Sequence, residues 1–194
     1  MEKHMARPVE FDEKQALTSA MEIFRRRGFA GVSIKTLEKD TGVSSGSLYN
    51  SFGSKDRLFV RAINHYNAYV VANRIHRHLE ADDPGAGLLS MFLSLLDEPG
   101  GGSAGCLLTN TAVEFAGEGG PVTDGVSQGF ELLLSAFEKV LLRIGIIAGS
   151  RQGALKLLVL YQGLLVLIRH GHSNQDLRAI IYAEINSITG ENHV

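Results

Sequence analysis

An all-α fold is predicted for this chain of 194 residues. Apolar residues recur at helical spacing along most of its length. Serine residues precede several of these segments and glycine residues follow them, as is typical of helix N-caps and C-caps. The pattern predicts about nine helices, arranged as a small N-terminal group, a long connecting helix and a larger helical body. No repeat of 20–50 residues is visible.

The composition is that of a soluble globular protein with a full core, because 44% of the residues are apolar and 21% are charged. The net charge of −2 argues against a protein that coats nucleic acid non-specifically. Residues 1–60 nevertheless carry a net charge of +2 and residues 61–194 a net charge of −4. This mild asymmetry permits an N-terminal domain that faces nucleic acid.

Cysteine content and the N-terminus indicate the cellular compartment. The single cysteine, Cys106, excludes an intrachain disulfide and a cysteine-rich zinc site. The N-terminus lacks the apolar core of a signal peptide, so a cytoplasmic location is expected. The longest apolar run, Leu157–Ile168, contains Gln162 and is about two-thirds of the ~18 residues that a membrane span needs. It is therefore interpreted as a buried helix, and no membrane association is expected.

The first predicted helix ends in three arginines, Arg25, Arg26 and Arg27, followed by Gly28 as the stop signal. The arginines suit a helix C-terminus electrostatically, and they are either solvated or close to a phosphate. The apolar positions of this helix are Ala16, Leu17, Ala20, Ile23 and Phe24.

Two short helices follow, separated by a tight turn at Gly42, which adopts the left-handed conformation at little cost. Ser33 is the predicted N-cap of the first helix, and Ser44 or Ser45 that of the second. The residues expected to face inward are Ile34, Leu37, Val43, Leu48 and Phe52. A helix, a three-residue turn with glycine and a second helix are the spacing of a helix-turn-helix unit. Ser54 then caps a helix that is predicted to continue to about Glu80.

The motif Val32-Ser33-x3-Leu37-x4-Gly42-Val43-Ser44-x-Gly46-Ser47-Leu48-Tyr49-x2-Phe52-x2-Lys55-x2-Leu58 closely resembles the DNA-binding signature of the tetracycline-repressor (TetR) family of transcriptional regulators. The resemblance covers about fifty residues, from Ala16 to Ala62. It implies a homodimer whose second short helix enters the major groove of a palindromic operator. It also implies domain bounds of 9–55 for the helix-turn-helix domain, 56–80 for the connecting helix and 85–190 for the effector-binding and dimerisation domain.

Carried onto this chain, the resemblance implies base-edge contacts for Ser45, Ser47 and Asn50 and phosphate contacts for Ser33, Tyr49 and Lys55. The predicted DNA-binding surface also includes Ser44 and Gly46. These side chains suit the task, because serine and asparagine can bond base edges while lysine and tyrosine bind phosphate oxygens. Tyr49 could instead belong to the core with its hydroxyl outward, and Ser33 and Ser44 could be only caps.

The sequence departs from the family pattern at two positions. Glu38 stands where a small residue normally lets the two short helices approach, which puts their packing in doubt. Ser45 stands where a lysine is common, and its lack of charge suggests weaker electrostatic affinity for DNA.

Four further helices and a short helical segment are predicted in the body. Their expected positions are 87–98, a segment within 105–116, from Thr123 or Asp124 to about Ile144, around Leu157–Ile168, and from Ser173 or Asn174 onward. The glycine-rich stretch 99–103 is interpreted as a loop. A phosphate-binding loop is disfavoured there because no strand precedes it and no Gly-Lys-Ser/Thr follows.

The segment Gly105-Cys106-Leu107-Leu108 resembles one found in a branch of the family, at the start of a helix beside the effector pocket. Cys106, Asn110, Val113 and Glu114 share one face of that helix, which is either solvated or lines a cavity. The residues predicted to bind an effector are Phe92, Cys106, Asn110, Val113, Glu114, Phe130, Phe137 and Tyr161. The last two helices carry surplus apolar surface and are predicted to form the dimer interface, with Gly163 allowing close approach.

The sequence thus predicts a DNA-binding regulator, most simply a repressor that a small, largely apolar effector releases from its operator. An alternative is a redox- or electrophile-responsive regulator acting through Cys106. Metal binding is disfavoured, because His76 and His78 are two residues apart on a helix and point to opposite sides, although His170 and His172 could meet in a loop. A purely structural helical dimer is a further alternative. Neither a catalytic constellation nor a cofactor motif is recognised, so the chain is not expected to be an enzyme.

Overall fold

Nine helices follow one another in the part of the chain that the computed structural model describes, which is residues 12–97, 104–116 and 119–190. They are α1 (Glu13–Arg27), α2 (Ile34–Thr41), α3 (Ser45–Phe52), α4 (55–79), α5 (Pro84–Asp97), α6 (Leu107–Glu114), α7 (Pro121–Arg143), α8 (Ser150–His170) and α9 (Asn174–Thr189). The prediction of an all-α fold of about nine helices is confirmed.

A side chain caps each of the first four helices, and α2, α3 and α4 begin where the sequence predicts. Asp12 accepts hydrogen bonds from the backbone N–H groups of Lys14 and Gln15, at 2.9 and 3.1 Å. The serine caps of α2, α3 and α4 are Ser33, Ser44 and Ser54, each accepting one N–H of the first turn. Ser44 rather than Ser45 is therefore the cap of α3. Capping of this kind satisfies N–H groups that the helix itself cannot pair.

Helix α4 is one continuous rod with a feature that the sequence does not predict. Its α-helical parts, Lys55–Tyr66 and Ala72–Leu79, are joined by a π-helical turn at Asn67–Val71. The buried Asn67 side chain lies at this turn and donates a hydrogen bond of 2.8 Å to the backbone oxygen of Gly125 on α7. The rod is therefore tied to the body at the point where its backbone changes pitch.

In the body, two predicted helix starts are corrected. Helix α5 begins at Pro84 instead of residue 87, and α7 begins at Pro121 instead of after Thr123 or Asp124. A proline is favourable in the first turn, since its missing N–H would be unpaired there in any case. The predicted loop at 99–103 lies outside the described residues.

The core of the body is built around three aromatic rings. Phe92, Phe137 and Tyr161 come from α5, α7 and α8, and their ring centroids lie 5.7–6.0 Å apart. Phe92 and Tyr161 meet edge to face, with an angle of 87° between the ring planes. Such edge-to-face contacts add to the stabilisation that burial of the rings provides.

Helix α8 is 21 residues long and, by length and composition alone, apolar enough to cross a membrane. One such helix is weak evidence of a membrane span, because core helices of soluble proteins have the same composition. One face of α8 is buried at Leu157, Tyr161 and Leu164, and the Tyr161 ring lies 6.0 Å from that of Phe137 in α7. The opposite face, with Val159 and Val166, is exposed within the single chain, as expected for a helix with surplus apolar surface.

Candidate DNA-binding surface and effector sites

Helix α3 has one face in the core and one face in solvent. Leu48 and Phe52 are buried against the neighbouring helices, whereas Gly46, Tyr49 and Asn50 are exposed. Half of the Tyr49 side chain is accessible, at 50%. The alternative that places Tyr49 in the core is therefore wrong. A helix of eight residues with an outer face this polar is free to enter a groove of DNA.

The hydroxyls of the cap residues Ser33 and Ser44 are already hydrogen-bonded within the protein. Ser44 Oγ accepts from the backbone N–H of Ser47 at 3.2 Å and donates to Ser47 Oγ at 3.0 Å. Ser33 Oγ likewise accepts from the backbone N–H of Thr36 at 3.1 Å. The capping interpretation of Ser33 and Ser44 is thus observed directly. Contact of either residue with DNA stays a prediction, as does that of the half-buried Ser45.

Helix α3 is braced against α4 by Arg61, a residue that the sequence analysis did not single out. The guanidinium group donates to the backbone oxygen of Ser51 at 3.3 Å and forms an ion pair of 2.8 Å with Glu13 of α1. Its carbon Cζ also lies 4.7 Å from the centre of the Phe52 ring. Three elements of the N-terminal domain are therefore tied together at one side chain, at a point just behind the exposed face.

Lys55 begins α4, three residues after the end of α3. Its ammonium nitrogen lies 3.9 Å from the centroid of the Phe29 ring, within the range of a cation–π contact. The side chain is half-buried, so its aliphatic part is held against the protein. Lys55 accordingly has a defined position in the absence of DNA.

The arginines at the end of α1 are not uniformly solvated. Arg25 is buried and forms an ion pair of 2.9 Å with Glu22, and Arg27 pairs with Asp40 of α2 at 3.1 Å. Arg26 is exposed.

Glu38, where the family usually has a small residue, is half-buried, and Leu37 beside it is fully buried. The helix-turn-helix unit therefore forms despite Glu38.

Cys106, Asn110, Val113 and Glu114 line one cleft of about 470 Å³ between α6, α8 and the loop after α1. These are the four residues that were predicted from the sequence to share one face of this helix. Two of its polar groups bind the N-terminal domain, however. Asn110 Nδ2 donates to the backbone oxygen of Arg25 at 3.0 Å, and the Glu114 carboxylate accepts backbone N–H groups of the loop after α1. Val113 is 76% exposed.

The other predicted effector residues lie elsewhere. Phe92, Phe137 and Tyr161 form the aromatic core, where the rings pack against one another. Phe130 is half-buried at the edge of the core. The eight residues therefore occupy three different places, because helical spacing identifies a face but not the element that this face meets.

A larger groove, of about 840 Å³, runs between the second half of α4 and α7. No sequence pattern predicts this groove, since its two walls are about fifty residues apart in the chain. Its apolar residues are Ala72, Ile75, Leu79, Leu132, Ala136 and Val140. Its polar rim includes Glu131, which forms an ion pair of 2.8 Å with Arg151, and Arg143, which donates to backbone oxygens at the end of α4.

Cys106 is the N-cap residue of α6 and is 3% exposed. The Tyr66 hydroxyl of α4 donates to its sulfur across 3.7 Å. Burial, followed by the proximity of Cys106 and Tyr161, raises the pKa of Tyr66 well above its usual range. The tyrosine therefore stays protonated at neutral pH and available as the donor in this contact.

The histidines that the structure describes do not form a larger ligand set. His170 and His172 have ring centroids 5.3 Å apart, whereas His76 pairs with Glu80 and His78 lies beside Ser90. Within the described residues, no group of three or more histidine, cysteine, aspartate or glutamate side chains is placed to hold a metal ion.

The fold and the exposed short helix define a helix-turn-helix protein. Residues 16–62 match the family model described as bacterial regulatory proteins, tetR family. The chain is 40% identical over 60 residues to the HTH-type transcriptional repressor BdcR of Escherichia coli, a match that covers 31% of this chain and 30% of BdcR. It is 30% identical over 114 residues to YezE of Bacillus subtilis, an uncharacterized HTH-type transcriptional regulator, covering 57% of this chain and 58% of YezE.

The whole fold is shared with solved structures. A cysteine mutant of the TetR family transcriptional regulator CifR, complexed with 26bp double-strand operator DNA, superposes with a TM-score of 0.78 at 24% identity. The match covers 94% of this chain and 99% of that one. Residues 16–62 thus match the TetR family model, and the described fold is shared with solved TetR-family structures. These relatives are regulators and not enzymes, in agreement with the prediction from the sequence.

Proposed function

We propose that this protein is a homodimeric, sequence-specific DNA-binding transcriptional regulator, and that it acts as a repressor. The observation that carries the proposal is the exposed polar face of α3, presented by a short helix whose other face is anchored in the core. Asn50 and Tyr49 lie on this face, and Lys55 follows it at the start of α4. We assign base reading to Asn50, Ser45 and Ser47, and phosphate binding to Tyr49 and Lys55.

Dimerisation is proposed through α8 and α9. Leu155, Val159 and Val166 of α8 are each more than half exposed, and the spacing of four and seven residues puts them on one face. Gly163 falls on the same stripe and has open space around it. Ile180 of α9 is also exposed. A two-fold interface would cover this apolar surface and set the distance between two copies of α3.

The groove between α4 and α7 is the better candidate for the effector site than the residues predicted from the sequence. Its volume of about 840 Å³ lies within the range of roughly 300–1,000 Å³ typical of small-molecule sites. Its apolar lining favours a small, largely apolar effector. Since α4 also carries Lys55, a ligand that prefers one position of α4 would change DNA affinity, and DNA would change ligand affinity by the same factor.

Thiol chemistry at Cys106 is the alternative, with the segment 105–108 marking a branch of the family that carries this cysteine. The side chain is almost fully buried, which limits access by oxidants. We therefore favour a regulator that responds to a small molecule. A Cys106→Ser variant that keeps the full response to both effector and oxidant would remove the thiol alternative.

Selection of bound fragments from a random DNA pool tests the main proposal, and repeating it with candidate effectors tests the regulatory part. We expect an inverted repeat whose half-sites are centred about 34–36 Å apart, or a multiple of that distance. A monomeric protein, or one without preference for any inverted repeat at low ionic strength, would contradict the proposal.

A further inference from the structure

Lys55 and Glu114 belong to different parts of the molecule, but both contact Phe29. Phe29 lies in the loop between α1 and α2, where no DNA contact is expected. Its ring supports the ammonium group of Lys55 at 3.9 Å, while its backbone N–H donates to Glu114 of α6 at 2.8 Å. We propose that Phe29 is a positioning residue for DNA binding, and that Glu114 sets its position from the body of the protein. This inference rests on the proposed role of Lys55 as a phosphate ligand.

The ring of Phe29 is fixed on several sides. Its centroid lies 5.0 Å from that of Phe59 in α4 and 5.4 Å from that of Phe115, which follows α6. Phe24 of α1 is a further neighbour, at 6.4 Å. A ring held by residues from α1, α4 and the body has little freedom to move. The lysine above it is therefore held in a narrow range of positions.

Holding a lysine in this way favours phosphate binding. A free lysine side chain loses rotamer entropy when it is immobilised on DNA. Lys55 has lost part of that entropy beforehand, because one side of its ammonium group rests on the ring. The ammonium group has three N–H donors, so it can still donate to a phosphate oxygen from its outer side.

Glu114 holds the loop through both of its carboxylate oxygens. Oε2 accepts the N–H of Phe29 at 2.8 Å and Oε1 accepts the N–H of Ala30 at 2.6 Å. A carboxylate can accept two such bonds at once, whereas a glutamine can offer only one oxygen. This pair of hydrogen bonds therefore depends on glutamate at this position.

Gly28 leaves space for the Glu114 carboxylate to make this pair of hydrogen bonds. Its φ of 72° belongs to the left-handed region that favours glycine. A Cβ atom at this position would lie 2.9 Å from Glu114 Oε2, too close for the carboxylate to stay where it is. The glycine that ends α1 thus also permits the contact between the body and the Phe29 loop.

A second contact between the two parts of the molecule involves neither Lys55 nor Phe29. Arg169 of α8 donates to the backbone oxygen of Arg26 at 3.2 Å. Arg169 therefore supplies the matched control, because Arg169→Gln removes a hydrogen bond from the same junction.

The first test is made on the full-length chain without DNA. In a protein labelled with ¹³C-lysine, the ε-methylene protons of Lys55 should be shifted upfield by the Phe29 ring, with Lys55→Arg identifying the signal. The upfield shift should be lost in Phe29→Leu, reduced in Glu114→Gln and kept in Arg169→Gln. A wild-type signal without an upfield shift would overturn the proposal, whether or not the protein binds DNA.

The second test is a double-mutant cycle on the DNA fragment that the selection yields. Phe29→Leu and Glu114→Gln should each weaken binding roughly three- to tenfold, the cost of immobilising one long side chain. In a Lys55→Ala background both effects should fall below about twofold, whereas any effect of Arg169→Gln should be unchanged. Effects of Phe29→Leu that persist without Lys55 would contradict the proposal. Absence of any selected fragment would instead refute the proposed function and leave the first test to decide on the position of Lys55.

Discussion

The four N-terminal helices and the last four helices of the body begin in different ways, while α5 is capped by Asp83, which accepts the N–H of Ala86 at 2.9 Å. Asp12, Ser33, Ser44 and Ser54 each cap one of α1–α4 with a side-chain hydrogen bond. At the starts of α6–α9, the cap residues make no such bond within the described residues. In the N-terminal domain, side-chain caps therefore define where the short helices begin. Helices this short are not stable alone. The longer body helices depend on packing between distant segments.

The largest effect should come from breaking the packing of the body. Phe137→Ala should lower the free energy of unfolding by about 3–5 kcal/mol, because it removes a fully buried ring from the Phe92–Tyr161 cluster and leaves a cavity. Urea unfolding followed by circular dichroism measures this loss. Val113→Ala is the matched control on an exposed site and should change stability by less than about 0.5 kcal/mol. Equal losses for the two variants would contradict a body held together by its core.

A charge on the exposed stripe of α8 should break the proposed dimer without unfolding the chain. Val159→Glu should raise the dissociation constant of the dimer roughly 100-fold or more, since each copy would bury an unpaired carboxylate. Analytical ultracentrifugation checks this. Ile147→Glu, on an equally exposed residue of the loop before α8, should leave the dimer intact. Unchanged association of the Val159→Glu variant would move the interface elsewhere.

In the N-terminal domain, two substitutions should separate base reading from phosphate binding. Asn50→Ala should relax preference at one base position, at a cost of about 1–3 kcal/mol for the preferred sequence. Lys55→Ala should instead weaken binding to all sequences and make the salt dependence shallower by about one phosphate contact. Titrations of matched and mismatched fragments at several salt concentrations distinguish the two. A uniform loss for Asn50→Ala, or an unchanged salt slope for Lys55→Ala, would reverse these roles.

The difference in helix caps should itself be measurable. Ser44→Ala should lower the free energy of unfolding by about 1 kcal/mol, because Ser44 accepts the N–H of Ser47. Ser173→Ala, at the start of α9, should have a smaller effect since its side chain makes no capping bond. Thermal unfolding without DNA provides the measurement. A larger effect at Ser173 would remove the contrast between the two regions.

The smallest effect concerns pH and lies at the contact of α1 with α4. Burial, followed by the nearby charge of Lys14, lowers the pKa of His65 from its usual 6.5. The folded state therefore binds fewer protons at this site than the unfolded state, so stability rises with pH in this range. Its contribution should be complete above about pH 6.5 and decline as the pH falls below that value. Thermal unfolding between pH 5 and 8 should show this decline, and His65→Gln should flatten it.

Prediction from the sequence succeeded best in the N-terminal domain. Gly28 and Gly42 end α1 and α2 as expected, with φ of 72° and 73°. Leu48 and Phe52 are buried as predicted. In these short helices, the signals that start and stop the helix lie within a few residues of the backbone that they affect. The resemblance to the TetR family covered the same segment, and the matches to known proteins confirm it.

The sequence could not predict how the proposed effector residues are arranged in space, and the reason is physical. A helical pattern shows that Asn110, Val113 and Glu114 share a face, but not that this face meets the loop after α1. The groove between Ile75 and Val140 likewise exists only because α4 and α7 pack side by side. No proline or glycine marks the π-turn at Asn67–Val71 in the sequence.

The sequence by itself determined where the helices of the N-terminal domain begin and end and which face of α3 is polar, because caps, glycines and apolar spacing act over one or two turns. It also determined that α8 carries more apolar surface than one chain can bury. Only the tertiary structure decided that Glu114 holds Phe29 and that Phe29 holds Lys55. Those contacts join residues up to 85 positions apart, and they depend on how whole helices pack rather than on any local pattern.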